Sequence, residues 1–219
     1  MKRSTYFFIF IFLIFSYPGF SNYNEEAEKY YLTAIKANNT DDESMCSLGL
    51  LYEDQKKYGL AEKYYLMAAK YENDDAMFYL GLLYSSQEKY QLAEKYYLMA
   101  IKYNNSSAMT SLGVLYHNQK KYELAKKYYF MAIEYDNDTD AMGDLGSLYD
   151  DQENYALAEK YYLMAIEIGL ESDLIYDDFM FNLGLMYYNQ GKYELAKKYF
   201  LMAAQYGDEE AKKILEEYF

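Results

Sequence analysis

The chain has 219 residues, 35 acids against 21 bases, and a formal net charge of −14. An acid excess of that size argues against nucleic acid and against anionic membrane surfaces as main partners, and is compatible with a basic one. Hydrophobic residues make up 52%, enough for a sizeable core, and a single proline suits mostly helical structure. The lone Cys46 cannot form an intramolecular disulfide and reads as a small core residue.

At the N-terminus, Lys2 and Arg3 precede an apolar run from Tyr6 to Phe15, followed by Ser16-Tyr17-Pro18-Gly19-Phe20-Ser21. A basic start, a short apolar middle, a Pro-Gly break and small residues before a cut after Ser21 predict a secretory signal over 1–21. The apolar run is too short for the ~20 residues a spanning helix needs. The alternative is that the segment stays attached as a short membrane anchor. No Cys lies near the cut, which speaks against a lipid anchor. The expected location is periplasmic or secreted.

From residue 22 two helical patterns alternate through a single array. The stretch Ala76–Ile101 reappears at Ala108–Ile133, again from Ala141, and more loosely from Ser44 and Phe179. The first helix of each pair places Met77, Leu80 and Tyr84 at i, i+3 and i+7, one face of a helix. The second places Ala61, Tyr65 and Ala68 at i, i+4 and i+7, and recurs at Ala27, Ala93, Ala125, Ala158 and Ala196. Gly49, Gly81, Gly113, Gly146 and Gly184 sit inside the first helices, where each costs roughly 1 kcal/mol against alanine. Their recurrence implies close helix approach, with the alanines of the second helix as the expected counterpart.

Short turns within pairs, such as Gln87-Glu88-Lys89-Tyr90, force antiparallel neighbours. Between pairs, Asn73-Asp74-Asp75, Asn104-Asn105-Ser106-Ser107 and Asp136-Asn137-Asp138-Thr139 supply N-caps. One connection is longer: Gly169–Tyr176 adds about five residues, an insertion expected as a surface loop in which Leu174, Ile175 and Tyr176 pack locally or offer a contact. Tyr23–Ala37 reads as a lone second helix and Asp208–Phe219 as a lone first helix with a polar outer side. The pattern predicts 12 helices, five pairs with a half repeat at each end.

Leu-Gly, then Tyr three residues later, then Ala, Tyr and Ala downstream, resembles the tetratricopeptide repeat. The Ala before Leu-Gly and the Lys-Tyr-Tyr-x-x-Ala helix are shared with the Sel-one-like repeat. The resemblance covers about 22–219. Spacings of 32–33 are slightly short of the usual 34, no Pro closes a repeat, and Met stands where many copies carry Trp. The longer Gly-containing turn of Sel-one-like repeats is missing. The resemblance implies an all-α fold, a right-handed α-solenoid of antiparallel helix pairs forming a superhelix whose first helices line a concave groove for a peptide or partner helix. Carried onto this chain, the groove positions are Phe78, Leu82, Ser85, Ser86, Thr110, Val114, His117, Asn118, Ser147, Asp150, Asp151, Phe181, Leu185, Tyr188 and Asn189. None is Lys or Arg, so the basic clamp by which some members grip a C-terminal carboxylate is not expected. Aromatic anchors in a neutral-to-acidic groove suit peptide recognition.

Chemistry is sparse. Asp136, Asp138 and Asp140 have the opening spacing of a calcium loop, but its glycine and bidentate-glutamate places hold Ala141 and Ser147, so helix capping is the reading. His117 is the only His and lacks the partners of a metal site or a nucleophile–base pair. The carboxylates beside Lys at helical spacing mark solvated faces. The repeated Lys-Tyr-Tyr reads as interhelix packing, its hydroxyls reaching water at the edge. Asn38-Asn39-Thr40, Asn104-Asn105-Ser106, Asn105-Ser106-Ser107 and Asn137-Asp138-Thr139 are glycosylation sequons only on a eukaryotic secretory route. The expectation is a non-enzymatic exported scaffold binding a protein or peptide, with no catalytic residue, metal or cofactor. A membrane-tethered assembly factor is the alternative, and a small-ligand binder or enzyme a third.

Overall fold

The computed structural model describes residues 20–172 and 177–219. The signal expected over 1–21 falls almost wholly outside these residues, and so do Leu174, Ile175 and Tyr176. Among the described residues are twelve α-helices and no strand. They are α1 (Phe20–Ala37), α2 (Asp42–Asp54), α3 (Tyr58–Ala69), α4 (Asp74–Ser86), α5 (Tyr90–Ile101) and α6 (Ser106–Asn118). Then follow α7 (Tyr122–Asp136), α8 (Thr139–Asp151), α9 (Tyr155–Glu171), α10 (Asp177–Asn189), α11 (Tyr193–Tyr206) and α12 (Glu209–Tyr218). Even-numbered helices are the first of each pair and odd-numbered helices the second. The chain divides into two compact units, one ending at Ala100 and one beginning at Ile101.

Each first helix with a resolved cap begins on an Asn or Asp whose side chain accepts from a backbone N–H three residues on. Asp41 accepts from Ser44, Asn73 from Ala76, Asn105 from Ala108, Asp138 from Ala141 and Asp208 from Ala211. Asp138 is therefore a cap.

The turns within pairs close by backbone alone. Lys57 donates its N–H to Tyr52 O at 2.8 Å, and Lys89 to Tyr84 O at 2.9 Å. The same bond recurs from Lys121 to Tyr116, Asn154 to Tyr149 and Lys192 to Tyr187. It is a Schellman closure, which needs a left-handed residue one place earlier. That place holds Lys56 (φ 58), Glu88 (φ 59), Lys120 (φ 57) and Glu153 (φ 57), and only in the last copy a glycine, Gly191 (φ 72). A Cβ in this region is strained, so Glu88→Gly is expected to raise stability by about 0.5–1 kcal/mol. Chemical denaturation checks this, and a lower midpoint would count against the strain.

Packing within pairs repeats almost copy by copy. Met77, Leu80 and Tyr84 are buried, as are Ala61, Tyr65 and Ala68, in keeping with the sequence periodicity. The counterpart of the recurrent glycines is an aromatic ring rather than the expected alanine. A Cβ on Gly49 would lie 2.5 Å from the Tyr65 ring, on Gly113 2.6 Å from Tyr129, and on Gly146 2.8 Å from Tyr162. Gly184 faces Phe200 at 2.8 Å, and a Cβ on Gly81 would also run into Tyr97. A flat ring needs a flat wall, which only a side-chain-free stretch of helix provides.

The Lys-Tyr-Tyr motif divides its labour. The second aromatic fills the glycine notch. The first stacks on the Tyr three residues after the glycine of its partner helix: Tyr64 on Tyr52 at 5.5 Å, Tyr96 on Tyr84 at 5.5 Å, Tyr128 on Tyr116 at 5.7 Å, Tyr161 on Tyr149 at 5.7 Å, Tyr199 on Tyr187 at 5.6 Å. The preceding lysine lies over that ring, as Lys63 does over Tyr64 at 5.1 Å. The turn lysine lies over the other, as Lys57 does over Tyr52 at 5.6 Å. Several of these hydroxyls stay inside rather than reaching water. Tyr65 donates to Glu53 at 2.6 Å, Tyr52 to Glu28 at 2.8 Å and Tyr162 to Ser147 at 3.0 Å.

The insertion after α9 is helical at its start. α9 runs 17 residues against 12 in α3 and buries Gly169, so residues expected as surface loop extend the helix by about a turn. Cys46 is buried, and burial first, then Asp75, push its thiol up to about 12, an inert core group.

Candidate peptide-binding faces of the first helices

In the second unit α6 packs on α8 and α8 on α10. On the other side, α9 and α11 leave an open cleft of about 490 Å³ lined by Leu163, Ile166, Leu170, Tyr199 and Met202. First helices in contact and second helices splayed curve this unit towards its first helices. In the first unit α2 likewise packs on α4.

The first unit carries Phe78, Leu82 and Ser85 at i, i+4 and i+7 on α4. The Phe78 ring is half-buried, 5.3 Å from Tyr79 and 6.3 Å from Tyr97, and Leu82 is 37% exposed. Ser85 is half-buried, and the exposed Ser86 donates to Leu83 O at 2.9 Å.

The second unit carries the remaining residues, in two kinds of setting. Val114 and Leu185 are half-buried, and Asn118, Asp151 and Asn189 are exposed. Others are held by neighbours. Thr110 is buried and donates to Asp138 Oδ2 at 3.1 Å. Ser147 accepts from Tyr162, and Phe181 packs 5.6 Å from Phe200. Tyr188 meets Tyr193 at 5.4 Å, Tyr218 at 6.0 Å and Phe219 at 6.3 Å, so the closing helix covers one side of it.

His117 has a partner that its isolation in sequence did not reveal. Its Nε2 lies 3.0 Å from Asp151 Oδ2, with its ring edge-on to Tyr122 at 5.9 Å. Burial, then Asp151, raise the Asp150 carboxyl above its ordinary range. Among the described hydrogen bonds His117 meets Asp151 and no hydroxyl, so the pair positions α6 against α8 without the nucleophile that a catalytic base requires. No cluster of three or more ligating side chains able to hold a metal occurs among the described residues.

Two residues of this face were missed in sequence, Gly143 and Asp144, and Asp140 was read only as part of a capping segment. Gly143 stands where other copies carry Phe78, Thr110 and Phe181, and the Phe179 ring occupies the space its side chain would need. Asp144 is half-buried, and its carboxyl is pushed up to about 7 by burial first, then by Asp140 and Asp138. Burial, then Asp138, also raise Asp140. The available signal was the residue before Leu-Gly, which is Ser47, Tyr79, Ser111 or Asn182 elsewhere and Asp only in this copy.

Models of the tetratricopeptide repeat match residues 21–77, 46–105, 78–138, 139–168 and 177–205. The chain belongs to the tetratricopeptide-repeat family, whose all-α repeat fold is typical of non-catalytic scaffolds that bind proteins or peptides. No curated protein matches it in sequence. Among solved structures it is similar to a chain of the APC/C hetero-tetramer Cut9-Hcn1, at TM-score 0.71 and 14% identity over 90% of this chain and 39% of that one. It is also similar to a Sel1 repeat protein from Oxalobacter formigenes, at TM-score 0.68 and 24% identity over 90% and 84% of the two chains. YrrB, described as a TPR protein with an unusual peptide-binding site, aligns at TM-score 0.59 and 20% identity over 83% and 94%. Likeness at these identities shows the fold. Among the described residues no helix is long and apolar enough to cross a membrane.

Proposed function

We propose that the chain is an exported, non-enzymatic scaffold that binds an extended segment of a protein partner along its first helices. One observation carries this reading. On the first helices, the repeated Met, Leu and Gly (Met77, Leu80 and Gly81 and their equivalents) are buried, whereas among the positions that change between copies Leu82, Asn118, Asp151 and Asn189 are exposed and Val114, Asp150 and Leu185 half-buried. Leu82, Val114 and Leu185 offer apolar contact, and Asn118, Asp150, Asp151 and Asn189 offer acceptors and amides. Export rests on the basic-apolar-small pattern of residues 1–21, and peptide binding is in keeping with the peptide-binding site described for YrrB.

The face carries carboxylates and no lysine or arginine, which favours a basic segment. Asp150→Asn with Asp151→Asn is expected to weaken partner binding several-fold and to flatten its salt dependence. Unchanged affinity at low and high salt would sink the proposal for this face. The tethered alternative is favoured by α1, which starts at Phe20 and so runs across the expected cut after Ser21. Sequencing the N-terminus of the protein from cells separates the two, because a chain that starts at Met1 has kept its leader.

A further inference from the structure

Asp140, Asp144, Ser147 and Asp151 fall at i, i+4, i+7 and i+11 on α8, a single stripe along the helix. Two of the four are already engaged: Ser147 accepts from Tyr162, and Asp151 pairs with His117. Asp138, at the head of the same helix, is engaged too, accepting from Ala141 N at 2.8 Å and Thr110 Oγ1 at 3.1 Å. Among the described residues Asp144 has no such hydrogen-bond or ion-pair partner. The charges acting on it come from Asp138 and Asp140, both negative.

A second feature points to the same spot. Tyr129 of α7 is fully buried, its ring pinned against Gly113 of α6, and its hydroxyl has no hydrogen-bond partner among the described residues. Its hydroxyl lies within electrostatic reach of Asp144. Orphaned buried hydroxyls are rare and costly, and a carboxylate is the acceptor this one lacks. Asp144 can fill that role best when ionised, but burial and the neighbouring Asp138 and Asp140 oppose its ionisation. Resting on the peptide-binding reading of this face, we propose that Asp144 is the counter-ion for one basic side chain, lysine or arginine, of the bound segment. The Tyr129 hydroxyl holds the ionised carboxylate from the buried side. A cation arriving on the open side supplies the positive charge that the fold omits. An organic cation fits better than a metal, since no metal-ligating cluster is present among the described residues.

The pH dependence has a definite sign. The groups facing Asp144 are Asp138 and Asp140 of its own helix, Tyr129 of α7 and Tyr162 of α9. The free carboxyl titrates near 7, so a cation must displace a proton below that pH. Affinity is expected to rise up to tenfold per pH unit below 7 and to level off above it.

The test uses random 12-residue peptides selected on the immobilised full chain at pH 7.5. Selected binders are expected to share one lysine or arginine. Acetyl-lysine or citrulline at that position should weaken binding at least tenfold, and the two replacements tell which cation is preferred. Asp144→Asn, near-isosteric and checked for an intact fold by thermal melting, should weaken the unmodified peptide by a similar factor. Combining both changes should add little, since each removes the same pair. If Asp144→Asn binds as well as wild type, or if the two losses multiply, the counter-ion role is wrong while the binding face stands. If no peptide binds, the peptide-binding reading fails and this one with it.

Discussion

Gly81→Leu is expected to destabilise the chain by about 3 kcal/mol or more, lowering Tm by roughly 6–12 °C. The cause is the Tyr97 ring, which lies against the bare backbone of α4 where a side chain would sit. Tyr97 is itself buried, and Phe78 of α4 lies 6.3 Å from its ring, so the ring has little free space to move into. Even Gly81→Ala is expected to lose about 1–2 kcal/mol, although alanine gains roughly 1 kcal/mol in helix propensity over glycine. Gly59 provides the control. It also lies in a helix, and a Cβ there meets nothing within 4 Å. Gly59→Ala should therefore stabilise by about 0.5 kcal/mol. Opposite signs for one substitution at two helical glycines test the ring-in-notch packing. A stable Gly81→Leu would refute it.

Asp144→Asn is expected to stabilise the free chain by roughly 1–3 kcal/mol at pH 8 and to change little at pH 4.5. The folded chain holds this carboxyl at about 7, well above its value in an unfolded chain. Between those values the folded state binds more protons than the unfolded state. The group's contribution to stability is therefore present at low pH and lost as pH rises to about 7. Asparagine has no proton to lose, so the difference between variant and wild type should open over that window and stay constant above it. Denaturation curves at a series of pH values measure the difference, and a constant difference between the two chains would show that Asp144 is solvated. The residue thus costs stability in the free chain, as side chains kept for binding commonly do.

The fold was almost wholly legible in the sequence, because stacking requires the same solution in each copy. Met at i, Leu at i+3 and Tyr at i+7 read as a buried stripe, and the Asn and Asp residues between pairs read as caps. Pairings across helices were less legible. Glycine in a helix shows that something approaches closely, but whether the neighbour is alanine or an aromatic face depends on the register between two helices. Hydroxyls of the Lys-Tyr-Tyr tyrosines expected at the water's edge are bonded within the fold where Glu53 or Ser147 lies opposite.

The same limit applies to the candidate site. His117 gained a partner 34 residues away, and Tyr188 is flanked by the closing helix. Asp144 is conspicuous only once the copies are aligned and the buried Tyr129 hydroxyl is seen beside it. Such features lie in contacts between repeats, which a period of 32 or 33 residues does not encode.

The role proposed for the first helices is tested most directly by photo-cross-linking in cells. A photoreactive phenylalanine analogue would be placed at Leu82, Val114 or Leu185 on the first helices, and at Leu60, Leu124 or Leu201 on the exposed side of the second helices. Binding along the first helices predicts one recurrent partner band from Leu82, Val114 and Leu185, weakened when Asp150 and Asp151 are both asparagine. The same band from Leu60, Leu124 and Leu201 alone would contradict it.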